Sequence, residues 1–395
     1  MGEMKPLTGL KVIDFSQGVA GPYSGMVMAQ AGATVTKVEP LDGEWSRTLG
    51  KMYGDYSAHA VACNLGKKSI ALNLKSEAGL EIAQKLVEDA DVVIESFRPG
   101  VMAKFGLDYP SLVQRNRNVI YLSVSGFGQE GLYSKLPTTD TVTQAFSGWM
   151  SITRDMDGAP MKSGMVAIDF MTGLFASQSL FKALLARSLQ GEGSYIDCSM
   201  MQSAAAFQAA KIMEHHLQSG KPEVLYVPAG TMKTADGYIA ITAMREHHYV
   251  DLCSVLGRKD LVTDTRFSNR KKRVERQHEL MDLLGSEFMK KPTAHWARAL
   301  TKAGVMNSPV NTYTDYLEDP HVCKVGSVSW VNQTGLGKVP LVHSPGFEPF
   351  VEGDPQAKSP AVGEHTQEIL VEFGFSEGQI NQWEAVEAIR TVPVN

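Results

Sequence analysis

Apolar positions in the first two hundred residues follow two alternating patterns. Short runs such as LKVIDF (10–15) and ATVTKV (33–38) are apolar at half or more of their positions and rich in β-branched residues, whereas 76–89 places apolar residues every three or four positions. The first pattern predicts strands buried on both faces, and the second predicts amphipathic helices. Strands are therefore expected at 10–15, 33–38, 69–74, 91–95, 118–123 and 194–199. Helices are expected at 23–30, 76–89, 169–189 and 200–217, with Gly32 closing the first and QGEG (190–193) the third. Strands alternating with helices build right-handed βαβ units. The expected fold class is α/β, a Rossmann-like parallel sheet with helices on both faces.

The pattern changes after Gly220. Residues 225–245 suggest a hairpin turning at Ala235-Asp236-Gly237, followed by charged helical segments over 248–308. Short strands return near Val339, Ser344-Pro345-Gly346 marks a loop, and a tail helix starts at Thr366. This predicts a large α/β domain over 1–220, a smaller inserted α+β domain over 225–330, and a C-terminal return to the large domain over 331–395.

Composition narrows the class. A chain of 395 residues exceeds the usual single domain, and 43% apolar with 21% charged residues is globular. Lys and Arg total 38 against 43 Asp and Glu, so the net charge of −5 argues against a nucleic-acid partner. The one dense basic run, RKKR at 270–273, is expected as a solvated helical turn. No stretch of roughly 18 apolar residues predicts a membrane span, and residues 1–6 lack a signal-like apolar run. Cys63, Cys198, Cys253 and Cys323 are widely spaced, which suits free, mostly buried thiols and a cytoplasmic setting.

Several chemistries lack their motifs. The loop after the first strand reads QGVAGP (17–22), without the GxGxxG of nicotinamide enzymes. Pro22 suits the first position of a helix whose N-terminus could face a phosphate. No Walker A, HExxH or GxSxG sequence occurs, and the pairs His215-His216 and His247-His248 point apart on a helix. No metal site is expected, and the Met-rich stretch 200–217 reads as core packing. Asp169, read from the pattern alone, is a helix N-cap.

Nine blocks then stand together: LTGLKVIDFSQGVAGP (7–22), GATVTKVE (32–39), NLGKKSIALNLKSEAG (64–79), ESFRPG (95–100), LSVSGFGQEG (122–131), DTVTQAFSG (140–148), DFMTG (169–173), ADGY (235–238) and GEHT (363–366). In this order they resemble the class III CoA-transferases, the family of formyl-CoA, oxalate and L-carnitine CoA-transferases. The resemblance implies a CoA-transferase that moves CoA from an acyl-CoA donor to a carboxylic acid acceptor. Asp169 would be the nucleophile, followed by Thr172 and Gly173 of the family motif. A carboxylate there would pass through a mixed anhydride and an aspartyl-CoA thioester. A helix N-terminus would favour its charged form. No permanently bound cofactor is implied, only coenzyme A or acyl-CoA as substrate.

The same resemblance suggests CoA contacts at Val19 and Ala20, at Leu72, Asn73, Leu74 and Lys75, and at Ser96, Phe97 and Arg98. Lys104 stands where relatives often carry arginine, and Thr139 and Asp140 complete the set. Pro40 replaces an often basic position, so one phosphate contact is expected to differ. The assembly implied is a homodimer of interlocked rings. Racemases of the same fold are the alternative, but their histidine corresponds to Thr139, which cannot act as an imidazole acid–base. Val227-Pro228-Ala229-Gly230-Thr231 stands where formyl-CoA transferases carry a glycine-rich lid, implying a stiffer lid. Residues 126–129, 136–137 and 144–148 look nearest to L-carnitine CoA-transferase.

Overall fold

The computed structural model describes residues 5–155, 157–220 and 224–392. The chain divides into two units, Met1–Ala209 with Gly326–Asn395, and Ala210–Val325. The sequence pattern places these transitions near 220–225 and 330.

The first unit is built on a seven-stranded sheet: β1 (Lys11–Asp14), β2 (Thr34–Glu39), β3 (Lys68–Leu72), β4 (Val92–Glu95), β5 (Ile120–Ser125), β6 (Ser194–Ser199) and β7 (Ile389–Arg390). Their spatial order is β7-β3-β2-β1-β4-β5-β6. All neighbours run parallel except β7, which pairs antiparallel with β3. The helices that matter for the site are α1 (Ala20–Gln30), α2 (Glu77–Glu88), α3 (Asp140–Phe146), α4 (Ala167–Gln190) and α5 (Met200–Phe207).

Successive strand residues face opposite sides of the pleat, and β4 shows the result residue by residue. Val92 and Ile94 join Val12, Ile120 and Leu122 under Met28 of α1 and Ala176 and Leu180 of α4. Val93 joins Ile13 and Tyr121 on the opposite face, under Ile82 and Leu86 of α2. Both faces are covered, so continuous apolar runs are required. Strand order reverses between β1 and β4. In open α/β sheets the crevice beyond the carboxyl ends at such a reversal is where ligands bind.

Several local expectations shift. α1 starts at Ala20, so Pro22 is its third residue rather than its first. The missing N–H still costs nothing, because the first four helical N–H groups lack partners within the helix. α4 starts at Ala167 with Val166 as N-cap, so Asp169 lies inside the first turn and is no cap. The stretch 200–217 breaks at Gln208 into Met200–Phe207 and Ala209–Leu217. Met200 is buried there but Met213 is 62% exposed, so the Met cluster is not a shared core.

The second unit has a three-stranded antiparallel sheet, with Tyr238–Thr242 between Ala229–Lys233 and Met306–Pro309. Its core joins Ile239 and Ile241 to Leu252, Leu280, Phe288, Trp296 and Leu300 from the surrounding helices. Thr234 and Gly237 close the hairpin turn through a 2.9 Å backbone bond. The segment read as a lid is largely committed to this sheet: Ala229 faces Thr242 and Gly230 faces Ile241 in the ladder. The RKKR turn is not wholly solvated either. Arg273 is buried, donates to both carboxylate oxygens of Glu246, and lies over the Tyr249 ring.

Candidate active site

Three strand ends and the starts of α1, α3 and α4 converge at the sheet's reversal. The loop after β1 is held open by contacts its residue types dictate. Gln17 N–H donates to Ser96 Oγ at 2.8 Å, tying the loops after β1 and β4 together. Gly18 N–H donates to Glu44 Oε2 at 2.9 Å. Gly18 has φ +87°, and a Cβ there would lie 2.3 Å from the Trp45 ring, so only glycine fits. The first turn of α1 has no side-chain cap and no acidic residue, which leaves its N–H groups open to an anion.

Beneath this loop lies a buried ionic cluster. Lys67 Nζ donates to Asp14 Oδ2 at 2.8 Å, to Asn64 Oδ1 at 2.9 Å and to the Pro22 carbonyl at 2.7 Å. Lys37 Nζ lies 4.0 Å from Asp14 and donates to the Ser16 carbonyl. Burial disfavours the Asp14 charge, yet Lys37 and Lys67 outweigh it and hold the carboxyl below its usual range. Such a cluster fixes the loop through its carbonyls.

A cavity of about 330 Å³ opens above this floor. Val19 and Ala20 line it from the start of α1, Ser96, Phe97 and Arg98 from the loop after β4, and Thr139, Asp140 and Asp169 from the starts of α3 and α4. Eight of the thirteen site residues named from the sequence therefore share one cavity. Leu72, Asn73, Leu74, Lys75 and Lys104 do not line it. Leu72 is buried in the core and Leu74 packs against it. The Asn73 N–H donates to the Ala388 carbonyl. Lys75 and Lys104 are exposed to solvent.

Asp169 is brought to the cavity by close helix packing. A Cβ on Gly173 would lie 2.8 Å from the Ala20 carbonyl oxygen, so glycine lets α4 cross α1 at this point. Tyr23 of α1 then meets Phe170 edge-to-face at 5.3 Å. Burial first, and the Asp140 charge second, push the Asp169 carboxyl up to about 7. The helix N-terminus was expected to keep it ionised. The structure shows why that expectation fails: the N–H groups of Ile168 and Asp169 donate to Asp140 Oδ2 at 2.6 and 3.1 Å. Those donors are spent on a different carboxylate.

A second cavity, about 290 Å³, shares Arg98 and Pro99 with the first. Glu95 lines it, and burial pushes this carboxyl up to about 7 although Ser123 and the Phe97 N–H donate to it. Glu95 and Gln17 were not singled out from the sequence. Both lie inside the family blocks, and their further local signal is position, at or just past the carboxyl end of a strand. Among the described residues no histidine lines either cavity. Among the described residues no group of three or more His, Cys, Asp or Glu could hold a metal ion.

Comparison with known proteins gives the same class. Residues 7–366 match CoA-transferase family III. The chain belongs to that family. A family III CoA-transferase acts on CoA thioesters, which gives an acyl-CoA and a carboxylate as its substrate classes. This transferase is 32% identical to the succinyl-CoA:glutarate CoA-transferase of Mus musculus, over 96% of this chain and 89% of the relative. It is likewise 32% identical to the succinate–glutarate CoA-transferase of Agrobacterium fabrum, over 93% of this chain and 96% of that protein. A CAIB/BAIF family protein from Brucella suis has a similar structure, with TM-score 0.83 and 32% identity, covering 93% of this chain and 99% of that one. Among the described residues no helix is long and apolar enough to cross a membrane.

Proposed function

We propose that this chain transfers CoA from an acyl-CoA to a free carboxylic acid with Asp169 as nucleophile. The observation that carries the reading is a half-buried carboxyl, with no hydrogen-bond donor to it among the described residues, facing a cavity at the sheet's reversal. An Asp169 oxygen attacks the thioester carbonyl, the C–S bond breaks, and CoA leaves as thiolate. The thiolate then attacks the aspartyl carbonyl of the mixed anhydride, releasing the donor acid and leaving an aspartyl-CoA thioester. The acceptor carboxylate attacks that thioester and expels CoA thiolate again. Attack of the thiolate on the acceptor's carbonyl yields the new acyl-CoA and regenerates Asp169.

Val19, Ala20, Ser96, Phe97 and Arg98 would hold the pantetheine arm and pyrophosphate, with the open end of α1 supplying N–H donors. Leu72, Asn73, Leu74, Lys75 and Lys104 would serve parts of CoA that extend beyond the cavity. Nothing permanently bound is needed. The names of the relatives support succinyl-CoA as donor and a dicarboxylic acid as acceptor, while the sequence blocks also support a carnitine-like acid. An interlocked homodimer is supported by exposed apolar side chains such as Leu174, Leu185, Leu189 and Phe207. Free thiols at all four cysteines suit a cytoplasmic setting. Racemase chemistry finds no support, because Thr139 caps α3 where an imidazole would be needed.

The test is exchange from succinyl-CoA to glutarate, oxalate and carnitine, read by mass spectrometry. Hydroxylamine should trap a modified Asp169 peptide, and Asp169→Ala should lose exchange by at least about 10³-fold. Undiminished exchange in that variant would remove Asp169 from the mechanism.

A further inference from the structure

The first turn of α4 is not held by its own helix. Its natural cap position is Val166, which offers no side-chain acceptor. Asp140, 29 residues earlier, fills that role from the start of α3 by accepting the N–H groups of Ile168 and Asp169 on one oxygen. Its other oxygen accepts from Gln144 Nε2, one turn along α3. Gln144 in turn accepts the Ser163 N–H at 2.9 Å and donates to Ser163 Oγ at 3.0 Å. The strap 163–169 is thus pinned at both ends to one face of α3.

We propose that Asp140 is the positioning residue for Asp169: its two oxygens and Gln144 lock the first turn of α4 to α3 and fix how the Asp169 carboxyl enters the cleft. This rests on the reading of Asp169 as nucleophile and adds the group that sets its geometry and charge. Asp140 is 5% exposed, and the oxygen that accepts the Asp169 N–H at 3.1 Å is committed to the backbone of α4. It has a second effect. A buried like charge disfavours ionisation of its neighbour, so Asp140 delays conversion of Asp169 to the attacking carboxylate as pH rises. The groups on the other elements packed around this turn do not offset it. The Cys63 and Cys198 thiols are pushed up to about 12 and about 11 by burial and stay neutral. Tyr23 of α1 presents its ring to Phe170. Arg98 lines the cleft itself, and Lys37 and Lys67 are engaged with Asp14.

Two substitutions separate geometry from charge. Asp140→Asn keeps an acceptor in place but removes the charge. Gln144→Leu keeps the charge but frees Asp140 to turn. The readout is the rate of Asp169 modification by succinyl-CoA between pH 5 and 9, followed as the hydroxylamine-trapped peptide, with thermal unfolding as the check on folding. Asp140→Asn should move the acid limb of that profile down by about half a pH unit or more. Gln144→Leu should lower the plateau about 10- to 100-fold without moving the limb. An unmoved limb in Asp140→Asn together with an undiminished plateau in Gln144→Leu overturns the proposal. Should Asp140→Asn fail to fold, the Gln144→Leu plateau decides alone. Absence of any Asp169 modification in the unaltered protein would instead refute the nucleophile, a different and recognisable outcome.

Discussion

Asp169 keeps its proton more tightly in the folded protein than in the unfolded chain, with its carboxyl raised from 3.8 to about 7. A raised carboxyl makes folding less favourable as pH increases, because the native state must bury a charge that the unfolded chain exposes. The cost is absent below about pH 4, grows between there and pH 7, and is complete above. Asp169→Asn should therefore raise stability at pH 8 by an amount on the order of 1–2 kcal/mol, after allowance for solvent in the cleft, and raise the unfolding temperature with it. The gain should vanish by pH 4. Scanning calorimetry at both pH values decides it, and an equal gain at both would mean the side chain's packing, and not its charge, is responsible. For the native enzyme the same shift predicts that kcat/KM with acyl-CoA climbs through about pH 7, as a carboxylate nucleophile requires.

Helix packing carries that carboxyl to the cleft. α1 and α4 meet at Gly173, where an added methyl would press on the Ala20 carbonyl at 2.8 Å and on Tyr23 at 2.9 Å. Backbone cannot yield as a side-chain tip can, so α4 must move away from α1. Gly173→Ala should cost about 1–3 kcal/mol and lower kcat more than it raises KM for acyl-CoA. Urea unfolding and steady-state kinetics measure the two effects. A variant as stable and as active as the parent would show that the crossing tolerates more room than the contact allows. DFMTG thus has two physical jobs four residues apart, with Gly173 permitting the approach and Asp169 using it.

At the scale of the whole chain, the sheet is closed by residues far from it in sequence. β7 comes after the second unit and lies along β3, with Ile389 opposite Leu72 and Arg390 opposite Ala71. Ile389 is 2% exposed and belongs to the same core as Leu72, Ile70 and Ile369. Ile389→Ala should destabilise the first unit by about 2–4 kcal/mol. It should also speed hydrogen exchange in residues 68–75 more than in β5 or β6. Uniform exchange across the sheet would instead mean that the edge opens only with global unfolding.

Much of this architecture was legible beforehand because buried parallel strands need apolar residues on both faces. Runs such as VVI in β4 can hardly serve another purpose, so six strands and the two-faced sheet could be read from sequence alone. β7 escaped notice, since two residues leave no period to detect. The family blocks marked Asp169, and the cavity gathers it with Val19, Ala20, Ser96, Phe97, Arg98, Thr139 and Asp140. The protonation of Asp169 could not be foreseen. A sequence shows a carboxylate near a helix start, but which N–H groups remain free there depends on Asp140 arriving from another helix. Local periodicity, being a property of neighbours, determined the elements and their class. Burial, strand order and the sharing of hydrogen-bond donors arise between segments distant in the chain, and only the tertiary structure decided them.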